Sequence, residues 1–129
     1  MPTLCFEGTV YSGKGVGKTF IALPWVTNQI ENKLGFSPYQ GTLNLRLTKE
    51  SENKRKFLAP EKGITITPQA DYLPGVAFRA SINGFEAAII IPLVPNYPTD
   101  VLEVISPLYL RGKLGLGDGK QVTVWVTVS

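Results

Sequence analysis

The chain has 129 residues, one cysteine and no histidine, with a formal net charge of +3. That length is the size of a single domain able to bury its own core without a disulfide or metal staple. The absent histidine excludes Ser-His-Asp and Cys-His catalysis and the usual zinc sites. A pI near 9.1 is too mild for a dedicated nucleic-acid binder and suits an anionic small molecule equally well.

The start, Met1 to Val10, has neither the basic residues nor the long apolar run of a signal peptide. The longest apolar run, Ala87 to Pro92, is strand-sized, far below the roughly 20 residues of a membrane-spanning helix. A cytoplasmic protein with no membrane role is the expectation, and Cys5 is expected to be a small buried hydrophobe on the first strand.

Thirteen glycines and ten prolines punctuate short apolar segments of strand period, so the chain reads as mostly β, a barrel. Thr3 to Tyr11 is the first strand. Ser12 to Lys18 is a glycine-rich loop, and Thr19 to Leu23 reads as a second strand stopped by Pro24. Trp25 to Leu34 is an amphipathic helix: Val26, Ile30 and Leu34 lie on one face, and Gly35 suits its C-terminus. After a turn over Phe36 to Gln40, Gly41 to Leu47 alternates cleanly. Thr48 to Lys62 has no period and reads as a solvated surface excursion, including Lys54-Arg55-Lys56. Gly63 to Thr67 is a short strand. Val76 to Ile82 and Phe85 to Ile91 flank Asn83-Gly84, the strongest hairpin signal in the chain. Val94 to Thr99 is a loop, and Asp100 to Ile105 a strand. Ser106-Pro107 reads as an N-cap and first turn of a short helix ending near Gly112 or Leu114, and Gln121 to Val128 is the last strand.

Three segments carry chemistry. In Ser12-Gly13-Lys14-Gly15-Val16-Gly17-Lys18, glycines at alternate positions let backbone amides approach an anion, and two lysines add charge; the alternative is a plain turn. It is not a P-loop: Ser12 stands where the pattern needs its first glycine, and the following Phe20-Ile21-Ala22-Leu23-Pro24 reads as strand rather than helix. In the strand from Gly41, Leu43, Leu45 and Leu47 share the core face, and Thr42, Asn44 and Arg46 the other. A hydroxyl and an amide oxygen two residues apart can hold Mg²⁺, which takes its remaining ligands from water and phosphates; the alternative is an ordinary polar face. In the third segment, Glu103 interrupts an apolar strand and faces either a polar ligand or solvent. Arg111 is placed to reach a phosphate or to complement a helix dipole. Trp25 and Tyr39 are candidates to stack on a flat ring, or to pack in the core or at a rim.

Together the loop at Ser12 to Gly17, the stretch Leu34-Gly35-Phe36-Ser37-Pro38-Tyr39-Gln40-Gly41-Thr42-Leu43-Asn44-Leu45, the stretch Asp100 to Pro107 and Leu110-Arg111 resemble the CTP-dependent riboflavin kinase family. The resemblance implies a six-stranded cradle-loop β-barrel with one or two short helices, in one domain spanning the chain. It implies transfer of the γ-phosphate of CTP to riboflavin, giving FMN and CDP. By resemblance, Gly13, Lys14, Gly15, Val16, Gly17 and Lys18 wrap the phosphates, and Thr42 and Asn44 hold Mg²⁺. Glu103 contacts the flavin and is the leading candidate for a base, while Leu108, Tyr109, Leu110 and Arg111 complete the nucleotide site.

Two positions depart from the family pattern. Lys18 stands where the loop commonly ends in arginine, which loses the bidentate fork. Pro95-Asn96 stands where a threonine before Tyr-Pro commonly contacts the flavin phosphate, so Asn96 or Thr99 is expected to take its place. Some relatives carry an N-terminal DNA-binding domain; this chain starts at the first barrel strand, and no nucleic-acid partner is expected. A monomer or small homo-oligomer is expected. The competing readings are a non-catalytic flavin- or nucleotide-binding barrel and a nucleic-acid-binding barrel using the Lys54 to Lys56 segment.

Overall fold

The computed structural model describes residues 2–13 and 16–128. These form seven strands: β1 (Thr3–Tyr11), β2 (Leu43–Leu47), β3 (Ile64–Ile66), β4 (Gly75–Ile82), β5 (Phe85–Pro92), β6 (Val101–Ile105) and β7 (Gln121–Thr127). All pairings are antiparallel, in the order β3-β4-β5-β6-β2-β1-β7, and β7 returns to pair with β4. Six strands therefore close into the expected barrel, which leaves no open edge among them. β3 lies outside the closed set. It pairs with the start of β4, through Gly75 to Ala77, while β7 takes Ala80 and Ser81 further along the same strand.

The period-2 pattern decides which side chains fill the barrel. Leu43, Leu45 and Leu47 point inward as expected, with Phe6, Phe78, Ile89, Leu102 and Val124. Alternate residues on β5 and β6, Ala88, Ile90 and Ile105, point outward into a second apolar layer. That layer is covered by α1 (Val16–Ile21) and α2 (Pro24–Leu34). In α2, Val26, Ile30 and Leu34 are buried as their spacing requires, and Gly35 ends the helix at φ 84°. Arg79 donates to the carbonyls of Lys33 and Leu34, both at 3.0 Å, pinning that end to the barrel. The Asn83-Gly84 hairpin has φ 50° and 80°, the two left-handed residues of a type I′ turn.

Three local expectations are corrected. Thr19 to Leu23 is not a strand: Val16 to Ile21 is helical, because Gly17, Phe20 and Ile21 fall at i, i+3 and i+4 and bury one face. The strand argument against a P-loop therefore falls, while the missing first glycine at Ser12 stands. Thr48 to Lys62 is not a solvated excursion. It holds α3 (Lys49–Lys54), capped by the Thr48 hydroxyl accepting from Ser51 N, and two single 3-10 turns. Within it Lys54 donates to the Cys5 carbonyl, and Arg55 is half-buried beside Tyr97. Ser106 does not cap a helix. Its hydroxyl donates to Glu86 O at 2.7 Å and accepts from Leu108 N, and α4 (Leu110–Leu114) begins only after Tyr109. Cys5 is half-buried, its β1 position facing Trp125 across the ladder.

Candidate functional site

β2 and β6 pair so that Asn44 stands opposite Glu103 on the outer face of the barrel. Outward residues normally meet water, but here α1 and the loop before β6 cover them. Asn44 is 6% exposed and Glu103 2% exposed, the only buried acidic side chain among the described residues. A buried carboxylate needs partners. Tyr97 OH donates to Glu103 Oε1 at 2.8 Å, and Thr42 Oγ1 lies 3.2 Å from Glu103 Oε2. Thr42 Oγ1 also lies 2.9 Å from Asn44 Oδ1. Gly17 completes the enclosure: a Cβ there would strike the Glu103 carboxyl, so a side chain at this point of α1 would displace it.

Tyr97 was not among the residues singled out in the sequence. A lone tyrosine in a proline-containing loop has no periodicity to mark it; only its place two residues after Pro95, beside the odd strand residue Glu103, offers a signal. Burial, then the adjacent Glu103 carboxylate, holds its phenol protonated well above the ordinary value. Arg55 lies over its ring at 5.8 Å from the centroid and is itself lowered by burial.

Thr42 and Asn44 face a cleft of 240 Å³ that is also lined by Tyr11, Ser12, Gly13, Lys18, Tyr39 and Arg111. Gly13 and Lys18 of the expected loop, Thr42, Asn44 and Arg111 thus come together around one space. Lys14 and Gly15 lie outside the described residues. Val16, Gly17 and Lys18 are helical rather than loop, with Lys18 exposed toward the cleft and Gly17 buried. Arg111 donates to Ser12 Oγ at 3.1 Å and pairs with Asp118, which also accepts from Ser12. The hydrogen bond from Arg111, then that from Ser12, holds the Asp118 carboxyl below the usual carboxylate range. Arg46 lies over the Tyr11 ring at 4.6 Å and pairs with Asp100 at 3.1 Å.

Tyr39 stacks on Tyr109, centroids 4.9 Å apart and planes 26° apart, at the rim between this cleft and an adjoining recess of 60 Å³. Leu108, Tyr109, Leu110 and Arg111 line that recess together. Trp25 packs away from the cleft, edge-on to Phe20 and against Tyr72. Of the flavin-end candidates, Glu103 alone joins the Thr42–Asn44 pair by hydrogen bonds. Asn96 is exposed at φ 62°, and Thr99 donates to Glu52 at 2.8 Å in a separate cleft lined by α3. Among the described residues no three His, Cys, Asp or Glu side chains gather into a metal cluster, and no helix is long and apolar enough to cross a membrane.

Comparison with known proteins gives the family. Residues 10–126 match the family profile CTP-dep_RFKase, described as Domain of unknown function DUF120. The chain is 46% identical to a riboflavin kinase of Archaeoglobus fulgidus over 96% of its own length and 55% of that protein's. It is 41% identical to a riboflavin kinase of Pyrobaculum arsenaticum, covering 92% of this chain and 59% of the relative. It is 37% identical to one of Ignicoccus hospitalis, covering 95% and 71%. The chain thus spans little more than half the length of the first two relatives. With the six-stranded barrel in place and the match running across nearly the whole chain, this protein belongs to the CTP-dependent riboflavin kinase family.

Proposed function

We propose that this chain, as a single catalytic domain, transfers the γ-phosphate of CTP to the ribityl 5′-hydroxyl of riboflavin, releasing FMN and CDP, with Mg²⁺ as the metal. One observation carries the reading: Ser12, Gly13, Lys18, Thr42, Asn44 and Arg111 line a single cleft although they come from distant parts of the chain.

Phosphoryl transfer passes through a loose transition state, so the protein mostly positions the reactants and neutralises charge. Lys18 and Arg111 supply fixed cationic charge beside the cleft, and Gly13 leaves its backbone open to an anion. Arg111 is already held by Asp118 and Ser12, so its guanidinium is oriented before a phosphate arrives. The recess lined by Leu108 to Leu110 is apolar and flanked by the stacked tyrosines, which suits the face of a nucleobase.

The Thr42 and Asn44 oxygens fit a magnesium ion. Two neighbouring ligands of an octahedral ion at about 2.1 Å lie about 3.0 Å apart, and these two oxygens are 2.9 Å apart at the edge of the cleft. Both are neutral, so a bound Mg²⁺ would keep its full charge for the phosphates. Riboflavin is assigned to the Glu103 side of the pair.

The experiment is FMN formation from riboflavin by the purified chain with Mg²⁺, compared across CTP, ATP, GTP and UTP. FMN formed preferentially from CTP supports the assignment. Absence of FMN with every nucleotide, from folded protein, refutes it and favours a non-catalytic flavin- or nucleotide-binding barrel.

A further inference from the structure

The Thr42 hydroxyl faces a choice. It has one proton and two acceptors, Asn44 Oδ1 at 2.9 Å and Glu103 Oε2 at 3.2 Å. A hydroxyl donates one hydrogen bond and accepts through its lone pairs. When Asn44 Oδ1 and Thr42 Oγ1 both turn lone pairs toward a cation, the Thr42 proton must point away from it. Glu103 Oε2 is then its remaining acceptor among the described residues.

Glu103 is built to stay in that place. Tyr97 OH holds Oε1 at 2.8 Å, and the missing side chain of Gly17 leaves room for Oε2. The ring of Tyr97 lies beneath the Arg55 guanidinium, and Arg55 Nε reaches Val101 O on the same strand as Glu103. The carboxylate is therefore held by Tyr97 on the loop before β6, in room that Gly17 on α1 leaves for it. A ligand whose partner is fixed presents its lone pairs in one direction, and such outer partners tune metal affinity.

We infer that Glu103 and Tyr97 are positioning residues of a divalent-cation site at Thr42 and Asn44, Glu103 accepting the hydrogen bond of the Thr42 hydroxyl and Tyr97 locking the Glu103 carboxylate. The inference rests on the proposed magnesium reading of Thr42 and Asn44. It assigns Tyr97, whose hydroxyl bonds Glu103 rather than either oxygen of the pair, a share in metal affinity.

The test measures cytidine diphosphate affinity by calorimetry twice for each protein, with Mn²⁺ and with EDTA. The wild-type chain is compared with Tyr97→Phe, which keeps the ring, and Glu103→Gln, which leaves two hydroxyl donors facing one carbonyl oxygen. The Mn²⁺ gain in affinity should fall about tenfold in both variants while the EDTA affinity stays unchanged. Retention of the full gain in both folded variants overturns the inference and leaves the cation site standing. A wild-type chain with no Mn²⁺ gain overturns the cation site itself, and the inference with it. Thermal melts verify folding, and Glu103→Gln decides the matter if Tyr97→Phe does not fold.

Discussion

Gly17 offers a direct test of why the buried carboxylate can sit where it does. An ideal Cβ on Gly17 would lie 2.8 Å from Glu103 Cδ and 3.2 Å from Ile90 Cγ2, with the Oε2 atom closer still. Gly17→Ala must therefore push Glu103 away from Thr42 or shift α1 off the barrel. Overpacking of a tight interior costs about 1–3 kcal/mol. Alanine returns up to about 1 kcal/mol of helix propensity. The net expectation is a loss of about 1–2 kcal/mol, or roughly 4–8 °C in Tm for a chain of this size. Thermal unfolding by circular dichroism measures it. In a Glu103→Ala background the obstacle is gone, so the cost of Gly17→Ala should shrink toward zero. An unchanged or raised Tm in the wild-type background, or an equal loss in both, refutes the reasoning.

Further outcomes follow from the same geometry. Asn44→Ala should lower magnesium-dependent turnover at least about tenfold, about 1.4 kcal/mol of barrier, with an unchanged circular dichroism spectrum; an unchanged rate removes Asn44 from the metal site. Leu45, fully buried within the barrel, should cost about 2–5 kcal/mol as Leu45→Ala, read from urea unfolding; a loss under about 1 kcal/mol contradicts the packing described. Tyr97 keeps its proton well above the ordinary value of 10.0 in the folded state. Its contribution to stability is thus complete below pH 10 and declines as pH rises beyond it, because the unfolded chain ionises first. The stability deficit of Tyr97→Phe against wild type should narrow between pH 8 and pH 11, and a constant deficit contradicts the assignment.

Much of the barrel is legible in the sequence because its signals are local. Leu43, Leu45 and Leu47 alternate, Asn83-Gly84 dictates its turn, and Val26, Ile30 and Leu34 mark one helix face. The pairing of Thr42 with Asn44 is likewise readable, since two residues on one strand face share a direction. The errors arise where two periods compete. Thr-Phe-Ile-Ala-Leu before a proline suits a strand, yet burial at positions 17, 20 and 21 selects a helix. Thr48 at the start of α3 is a capping residue obscured by the charged run behind it. The enclosure of Glu103 is not local at all. Its partners lie at Thr42, 61 residues away, and at Tyr97 on a loop without period, and its neighbour Gly17 arrives on α1. Closing the barrel makes these contacts, and no window of sequence contains them.

The most direct test of the central claim follows the phosphate itself, using γ-labelled CTP, riboflavin and the purified chain, with Mg²⁺ or with EDTA. The account predicts label in FMN, dependent on riboflavin and lost with EDTA. Label released only as inorganic phosphate, or retained in CTP with folded protein, would contradict it.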